Sequence, residues 1–368
     1  MKVAYFMGSL NRGGAETLVL DICRNTKIQD FELFVVHRKD GQLKEDFLKS
    51  GVQLNQIYPK SIFDISYFSR LRKFIIENNI SIVHAHQVID AWFIYLATQF
   101  LPTKVVLSFH GHGITNSVTS KLLRKLILGR TDLNIFVSKS QQHYYVNKFG
   151  NINRILVLPN GVDFKKIKLG VETSIRKELG LNNTDLLIGT VGNFTSGRDH
   201  YTLCKFLYLL KQKNIQFKFV FVGSASKIEP HIYNMCFDFC RNQGLQNDVY
   251  FLGTRADVPN ILTQLDAFTY STEHDTFGIA VVEAMGAGVP VFVNDWEVMR
   301  EITNEGACAT IYKTKNEYDL LVKFLGFLDK KDSYENAARE NALLIKDKYS
   351  IESHISSLKS IYQSLLNN

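Results

Sequence analysis

Short runs of β-branched and aromatic residues alternate with stretches of helical period along the whole chain, and the scheme restarts half-way. Parallel strands need a crossover between them, so this alternation predicts parallel sheets covered by helices. In the first half the runs fall at residues 2–7, 31–36, 80–84, 104–109, 133–137 and 155–158. In the second they fall at 186–192, 217–222, 249–252, 267–270, 289–293 and 308–311. The stretch 201–211 sets Leu203, Phe206, Leu207 and Leu210 on one stripe, as a helix packed on a sheet requires. Between the halves, Pro159-Asn160-Gly161-Val162-Asp163 forms a turn cluster, followed by a polar, lysine-rich stretch. The expected organisation is an N-terminal domain over 1–163, a linker over 164–185, a second domain over 186–347, and a last helical segment over 348–368 that packs back on the first domain. The fold class is α/β: two Rossmann-like, doubly wound domains facing each other across a cleft, with ligands at the carboxyl ends of the strands.

Composition removes several function classes. With 45% hydrophobic and 21% charged residues, 6 prolines and 23 glycines in 368, disorder and collagen are excluded. The longest apolar stretch, 82–101, is interrupted by His84, His86, Gln87, Asp90 and Gln99, so no membrane span is expected. The first residues offer one lysine and a five-residue apolar run that leads at once into a glycine-rich loop, which is not an export signal. Five cysteines without a CxxC pair point to reduced thiols and a cytoplasmic setting. Net charge is +9 over residues 1–165 and −2 over 166–368. That modest lysine excess comes without a nucleic-acid recognition motif or an arginine-rich stripe, so nucleic acid is not an expected partner.

Two segments carry the chemistry. The loop from Gly8 to Glu16 contains Gly13-Gly14 at the start of a helix, where backbone can approach an anion closely; it has neither GxGxxG spacing nor a P-loop ending. The segment 273–291 reads as a loop, a helix beginning near Gly278, and a glycine-terminated step into a strand. Asp275 then lies just before the helix and Glu283 about one and a half turns inside it. A loop carboxylate can take sugar hydroxyls, the amides of Phe277, Gly278 and Ile279 can hold a phosphate, and Glu283 can bind a ribose diol. Those are the parts of a nucleotide sugar.

This segment resembles the signature of the retaining glycosyltransferases of family 4, enzymes of the GT-B fold, in which an acid and a glutamate stand eight positions apart around Phe-Gly. Here they are Asp275 and Glu283. Other pieces follow in the family's order: Gly13-Gly14-Ala15-Glu16, His110-Gly111, Val137-Ser138, residues 159–163, the loop after Val191-Gly192, Phe221-Val222-Gly223 and Phe251-Leu252-Gly253. The resemblance implies transfer from a nucleotide-diphosphate sugar, UDP-linked by preference, to a glycan or lipid-linked glycan in capsule, exopolysaccharide or lipopolysaccharide synthesis. It implies retention of configuration, with departure and attack on one sugar face, and neither a cofactor nor a metal. Gly13 and Gly14 would approach the diphosphate, and Arg198 stands where the family has a phosphate-binding lysine. A guanidinium can clamp diphosphate oxygens in a fork. His110 would point at the donor sugar. Asn193 and Asp275 depart from the family's usual arginine and glutamate.

Other readings stay open at this stage. His84 and His86, two apart, share a strand face and either line the acceptor side or satisfy backbone. With His110 and His112 they could supply imidazoles to a metal-dependent hydrolase. A nucleotide-sugar-binding protein that has lost transfer is the third reading. Residues 66–76 and 120–130 mix cations with large apolar side chains and could lie on an anionic membrane surface at the inner face of the cell membrane.

Overall fold

The computed structural model describes the chain apart from residues 28–29, 61–63, 112–117, 151, 153, 168–173 and 368. It forms two compact units: Met1–Val162 with Tyr349–Asn368, and Asp163–Lys348.

The first unit is built on seven strands: β1 Lys2–Ser9, β2 Glu32–Lys39, β3 Gln53–Gln56, β4 Ile82–Ala85, β5 Lys104–Phe109, β6 Leu133–Phe136 and β7 Ile155–Val157. They run parallel in the order β3-β2-β1-β4-β5-β6-β7. Alternate residues of β1 serve opposite faces of the sheet. Ala4 and Phe6 pack with Tyr67, Leu71 and Ile94 from the helices Ile65–Glu77 and Val88–Ala97. Val3, Tyr5 and Met7 pack with the helix Gly14–Asn25 and with Ile351, Ile355, Leu358 and Tyr362 of the last helix, Ile351–Asn367. That last helix enters through paired backbone bonds: Val162 N–H donates to Tyr349 O (2.8 Å) and Ile351 N–H to Val162 O (3.0 Å). Gly161 makes the approach possible, because a Cβ there would stand 2.8 Å from His354 Cβ and 3.0 Å from Ile351 Cα.

The second unit has β8 Leu187–Val191, β9 Lys218–Val222, β10 Val249–Phe251, β11 Ala267–Tyr270, β12 Val291–Asn294 and β13 Thr310–Tyr312, parallel in the order β10-β9-β8-β11-β12-β13. The residues expected as a linker, 164–185, are bound into this unit where they are described. Arg176 donates to Asp266 Oδ2 (2.6 Å) and Gln264 O (3.0 Å), and the Phe164 ring fills the space over Gly286, where a Cβ would meet Phe164 Cε1 at 2.1 Å. Among the described residues no helix is long and apolar enough to cross a membrane.

Each sheet winds outward in both directions from a central pair, β1/β4 and β8/β11. At such a pair the loops after the two strands diverge to opposite faces and leave a crevice at the carboxyl ends. The loops that follow β1, β4, β8 and β11 are therefore where binding residues belong.

Candidate functional site

In the second unit the loops after β8 and β11 are stitched together. Arg198 and Thr272 form an antiparallel bridge; Asp199 N–H donates to Ser271 O (3.2 Å) and Thr272 Oγ1 to Gly197 O (2.9 Å). Asn294, at the end of β12, closes the arrangement by accepting Thr272 N–H (3.0 Å) and donating to Thr272 O (2.8 Å). On this frame Arg198 Nη1 donates to Asp275 Oδ2 at 2.6 Å, and the Tyr270 hydroxyl donates to the same oxygen at 2.5 Å. The guanidinium carbon lies 4.6 Å from the centroid of the Tyr270 ring, within cation–π range. Asp275 Oδ1 accepts the N–H of Thr276 (3.1 Å).

The helix Ile279–Gly286 begins at the same place. Gly278 caps it with φ +84°, and a Cβ on Gly278 would stand 2.7 Å from Met299 Cε and 3.4 Å from Asp275 Oδ2. The first amides of a helix have no intrahelical acceptor and carry its partial positive charge. A cation and a helix start therefore converge on Asp275. Phe277 is buried beneath them, while Ile279 and Glu283 on the helix are half-buried. Asn193 does a different job from a second cation: its Oδ1 accepts the N–H (2.9 Å) and hydroxyl (3.1 Å) of Ser224, pinning the loop after β8 to the loop after β9.

In the first unit Gly13 caps the helix Gly14–Asn25 in an extended conformation. Glu16 folds back over it, so that a Cβ on Gly13 would stand 2.5 Å from Glu16 Oε2, and burial raises the carboxyl's pKa. His86 follows β4 and His110 follows β5. His86 Nδ1 and His110 Nε2 share a hydrogen bond of 2.8 Å with their rings stacked. His84 bonds Tyr362 Oη through Nδ1 (2.6 Å) and Ser108 Oγ through Nε2 (2.7 Å), and Tyr362 bonds Tyr5 Oη (2.9 Å). His354, on the last helix, donates from Nδ1 to Pro159 O (2.8 Å). Burial holds all four imidazoles below the ordinary range, His110 and His354 at about 4, so they are neutral at pH 7.

This arrangement corrects two expectations. His84 has both ring nitrogens bonded inside the unit, so it braces the fold rather than lining an acceptor surface, and His86 braces His110. The metal-hydrolase reading loses His84 for the same reason. His84 holds hydroxyls, and His86 and His110 hold each other. His112 lies outside the described residues, and among the described residues no group of three or more His, Cys, Asp and Glu could hold a metal ion.

The two basic segments also separate. On the helix Ile65–Glu77, Arg70 donates to Asp64 Oδ2 (3.0 Å) and Tyr58 O (2.9 Å), and Arg72 to Ala97 O (3.0 Å) and Gln99 O (2.7 Å); these two cations of 66–76 are engaged within the unit. On the helix Val118–Leu128, Lys121, Leu122, Lys125 and Leu126 all face solvent.

Residues 12–166 match the family model described as Glycosyltransferase Family 4, and residues 171–343 match Glycosyl transferases group 1. The chain belongs to this family of glycosyltransferases. The glycosyltransferase is 27% identical to EpsF of Bacillus subtilis (strain 168) over 318 residues, 80% of this chain and 79% of that one. It is 28% identical over 188 residues to the UDP-Gal:alpha-D-GlcNAc-diphosphoundecaprenol alpha-1,3-galactosyltransferase of Escherichia coli, covering 50% of this chain and 44% of that one. Among solved structures, Anabaena HepE in complex with UDP and glucose aligns with a TM-score of 0.86 at 19% identity over 99% of this chain and all of that one. The glycosyltransferase thus has the GT-B fold.

Sequence reasoning passed over Tyr270, Ser224, His354 and Tyr362. Tyr270, the last residue of a buried strand, reads as core in the sequence; the other three acquire their partners only through the tertiary fold.

Proposed function

We propose that the enzyme is a retaining, metal-independent glycosyltransferase that takes its sugar from a UDP-sugar. The observation that carries this is the meeting of the Arg198 guanidinium with the start of the helix Ile279–Gly286 at Asp275, a place where an anion can be held by protein donors alone. In this reading Arg198 and the amides at Gly278 and Ile279 hold the diphosphate, Phe277 supports the turn, and Glu283 takes the ribose diol. Gly13 and Gly14 are the first unit's candidate donor-binding residues by the family resemblance. His110, held neutral, is the first unit's candidate for hydrogen-bonding a sugar hydroxyl. As the bond from the anomeric carbon to the diphosphate oxygen breaks, charge develops on the departing phosphate, and preorganised donors there lower the barrier most. The acceptor hydroxyl attacks on the same face through an oxocarbenium-like state, its oxygen bonding the anomeric carbon as its proton passes to the departing diphosphate. The usual glycosidase route to a covalent glycosyl-enzyme uses two carboxyl groups flanking the scissile bond, and Asp275 is engaged with Arg198 and Tyr270 instead.

The relatives in hand support the donor and acceptor classes. HepE was solved with UDP and glucose, and the E. coli galactosyltransferase is named for a UDP-sugar donor and a lipid-diphosphate-linked acceptor. The acceptor proposed here is a glycan or lipid-linked glycan of a cell-surface polysaccharide, met at the inner face of the cell membrane. The exposed Leu122, Leu126, Lys121 and Lys125 suit docking on anionic lipid.

A panel of UDP- and GDP-sugars tests the reading. One UDP-sugar should raise the melting temperature and release UDP with a strong chelator present, and the product linkage should keep the donor's anomeric configuration by NMR. Loss of activity in chelator, an inverted product, or binding without any nucleotide release would overturn it.

A further inference from the structure

At the donor site the Asp275 carboxylate is engaged inside the protein through both of its oxygens. Its Oδ2 takes two donors, the Tyr270 hydroxyl (2.5 Å) and Arg198 Nη1 (2.6 Å), and its Oδ1 takes Thr276 N–H (3.1 Å). A carboxylate oxygen offers two lone-pair sites, so Oδ2 is saturated. Bidentate recognition of a sugar diol would have to break these bonds.

Arg198 is placed differently. A guanidinium has five N–H donors in a planar fork, and the bond to Asp275 uses Nη1 alone of its nitrogens. Two separate features restrain that fork. The Tyr270 ring centroid lies 4.6 Å from the guanidinium carbon, and the Asp275 carboxylate holds Nη1. Tyr270 is itself fixed: it is 1% exposed at the end of β11, and its carbonyl accepts the Tyr312 hydroxyl (2.9 Å).

We propose that Tyr270 and Asp275 are a positioning pair that aims Arg198 at the donor's diphosphate, so that Asp275 serves the phosphates through Arg198 and does not read the sugar hydroxyls. This rests on the donor reading above, in which Arg198 binds the diphosphate. An arginine side chain left free must be ordered when the anion binds, and that ordering weakens binding. A fork already held loses less.

The sign of one substitution separates positioning from bulk electrostatics. Asp275→Asn removes a negative charge beside a dianionic ligand, which by charge alone should tighten binding; a positioning role makes it weaken binding instead.

The test is calorimetric titration of the full chain with UDP, with uridine, and with the UDP-sugar that the panel selects. Tyr270→Phe keeps the ring and removes only the hydroxyl. It should weaken UDP and UDP-sugar by the same factor, about tenfold, leave uridine unchanged, and add nothing in an Arg198→Ala background. Asp275→Asn should behave alike, which keeps the proposal testable should Tyr270→Phe fold poorly. Wild-type affinity for UDP in Tyr270→Phe, undiminished weakening in the Arg198→Ala background, or an Asp275→Asn variant that loses UDP-sugar but keeps or tightens UDP would overturn the pair. If the wild type binds neither UDP nor GDP, the donor reading fails and the pair fails with it.

Discussion

Asp275 is one methylene shorter than the glutamate of the family pattern, and that shortfall brings its carboxylate back onto the protein. At this length Oδ2 meets both the phenol of Tyr270 and the guanidinium of Arg198. The consequence for Arg198 is direct: its charge alone does not make the site. Arg198→Lys keeps the charge but loses the fork and the flat face stacked on Tyr270. We expect UDP to bind about tenfold more weakly, roughly 1.4 kcal/mol, with unchanged unfolding temperature; affinity equal to wild type in calorimetry would show that a point charge suffices. Both Arg198 and Asp275 are legible in the sequence, because each sits at a fixed place in a recognisable run. Tyr270 is not, since an aromatic residue ending a buried strand reads as core, and only its contact with Asp275 shows that its hydroxyl has a task. The histidines divide similarly. Spacing of two puts His84 and His86 together, but the partner that engages His84, Tyr362, lies 278 residues away in sequence.

Among the elements, the helix Ile279–Gly286 is short, eight residues, and its position depends on one residue. Gly278 holds φ +84° with Met299 packed where a side chain would go. Gly278→Ala pays the left-handed penalty of roughly 1–2 kcal/mol and must also displace Met299. A lowered melting temperature together with weaker UDP binding is expected; weaker binding without a thermal change would point away from backbone strain. The last helix is held by a stripe, Ile351, Ile355, Leu358 and Tyr362, against β1. Leu358→Ala should lower stability by about 2–5 kcal/mol, the usual range for a buried leucine. Tyr362→Phe should lower it by about 1–3 kcal/mol because His84 and Tyr5 lose a buried partner; denaturant titration reads both. Most elements were legible because a strand buried on both faces must be apolar. The edge strand β3, Gln-Leu-Asn-Gln, was not, since an edge strand that packs on one side needs no apolar run.

At the scale of the whole molecule, the two units have separate cores and unequal numbers of buried imidazoles. His37, His84, His86, His110 and His354 belong to the first, and burial lowers the pKa of each; in the second only His200 among the described residues is so lowered, to about 4. A histidine whose folded pKa is depressed binds fewer protons folded than unfolded, so its contribution to stability is complete above the unfolded value of about 6.5 and falls as pH drops toward the folded value. For His110 and His354 the window therefore runs from about 6.5 down to about 4. Two carboxyls of the first unit, Glu16 and Asp90, act in the opposite sense, because burial raises their pKa and the folded state takes up their protons more readily. The five imidazoles outnumber them and begin to titrate at higher pH, so acidification should loosen the first unit before the second. Hydrogen exchange corrected for intrinsic rates, followed at peptides from β1 and from β8 between pH 7 and pH 5, measures this. Protection at β1 should fall faster than at β8, and His354→Gln, which cannot take up the proton, should flatten the β1 slope by up to the order of 1–3 kcal/mol across the full window. Parallel loss at the two strands, or an unaltered slope in the variant, would mean that protonation of the buried cluster does not limit the first unit.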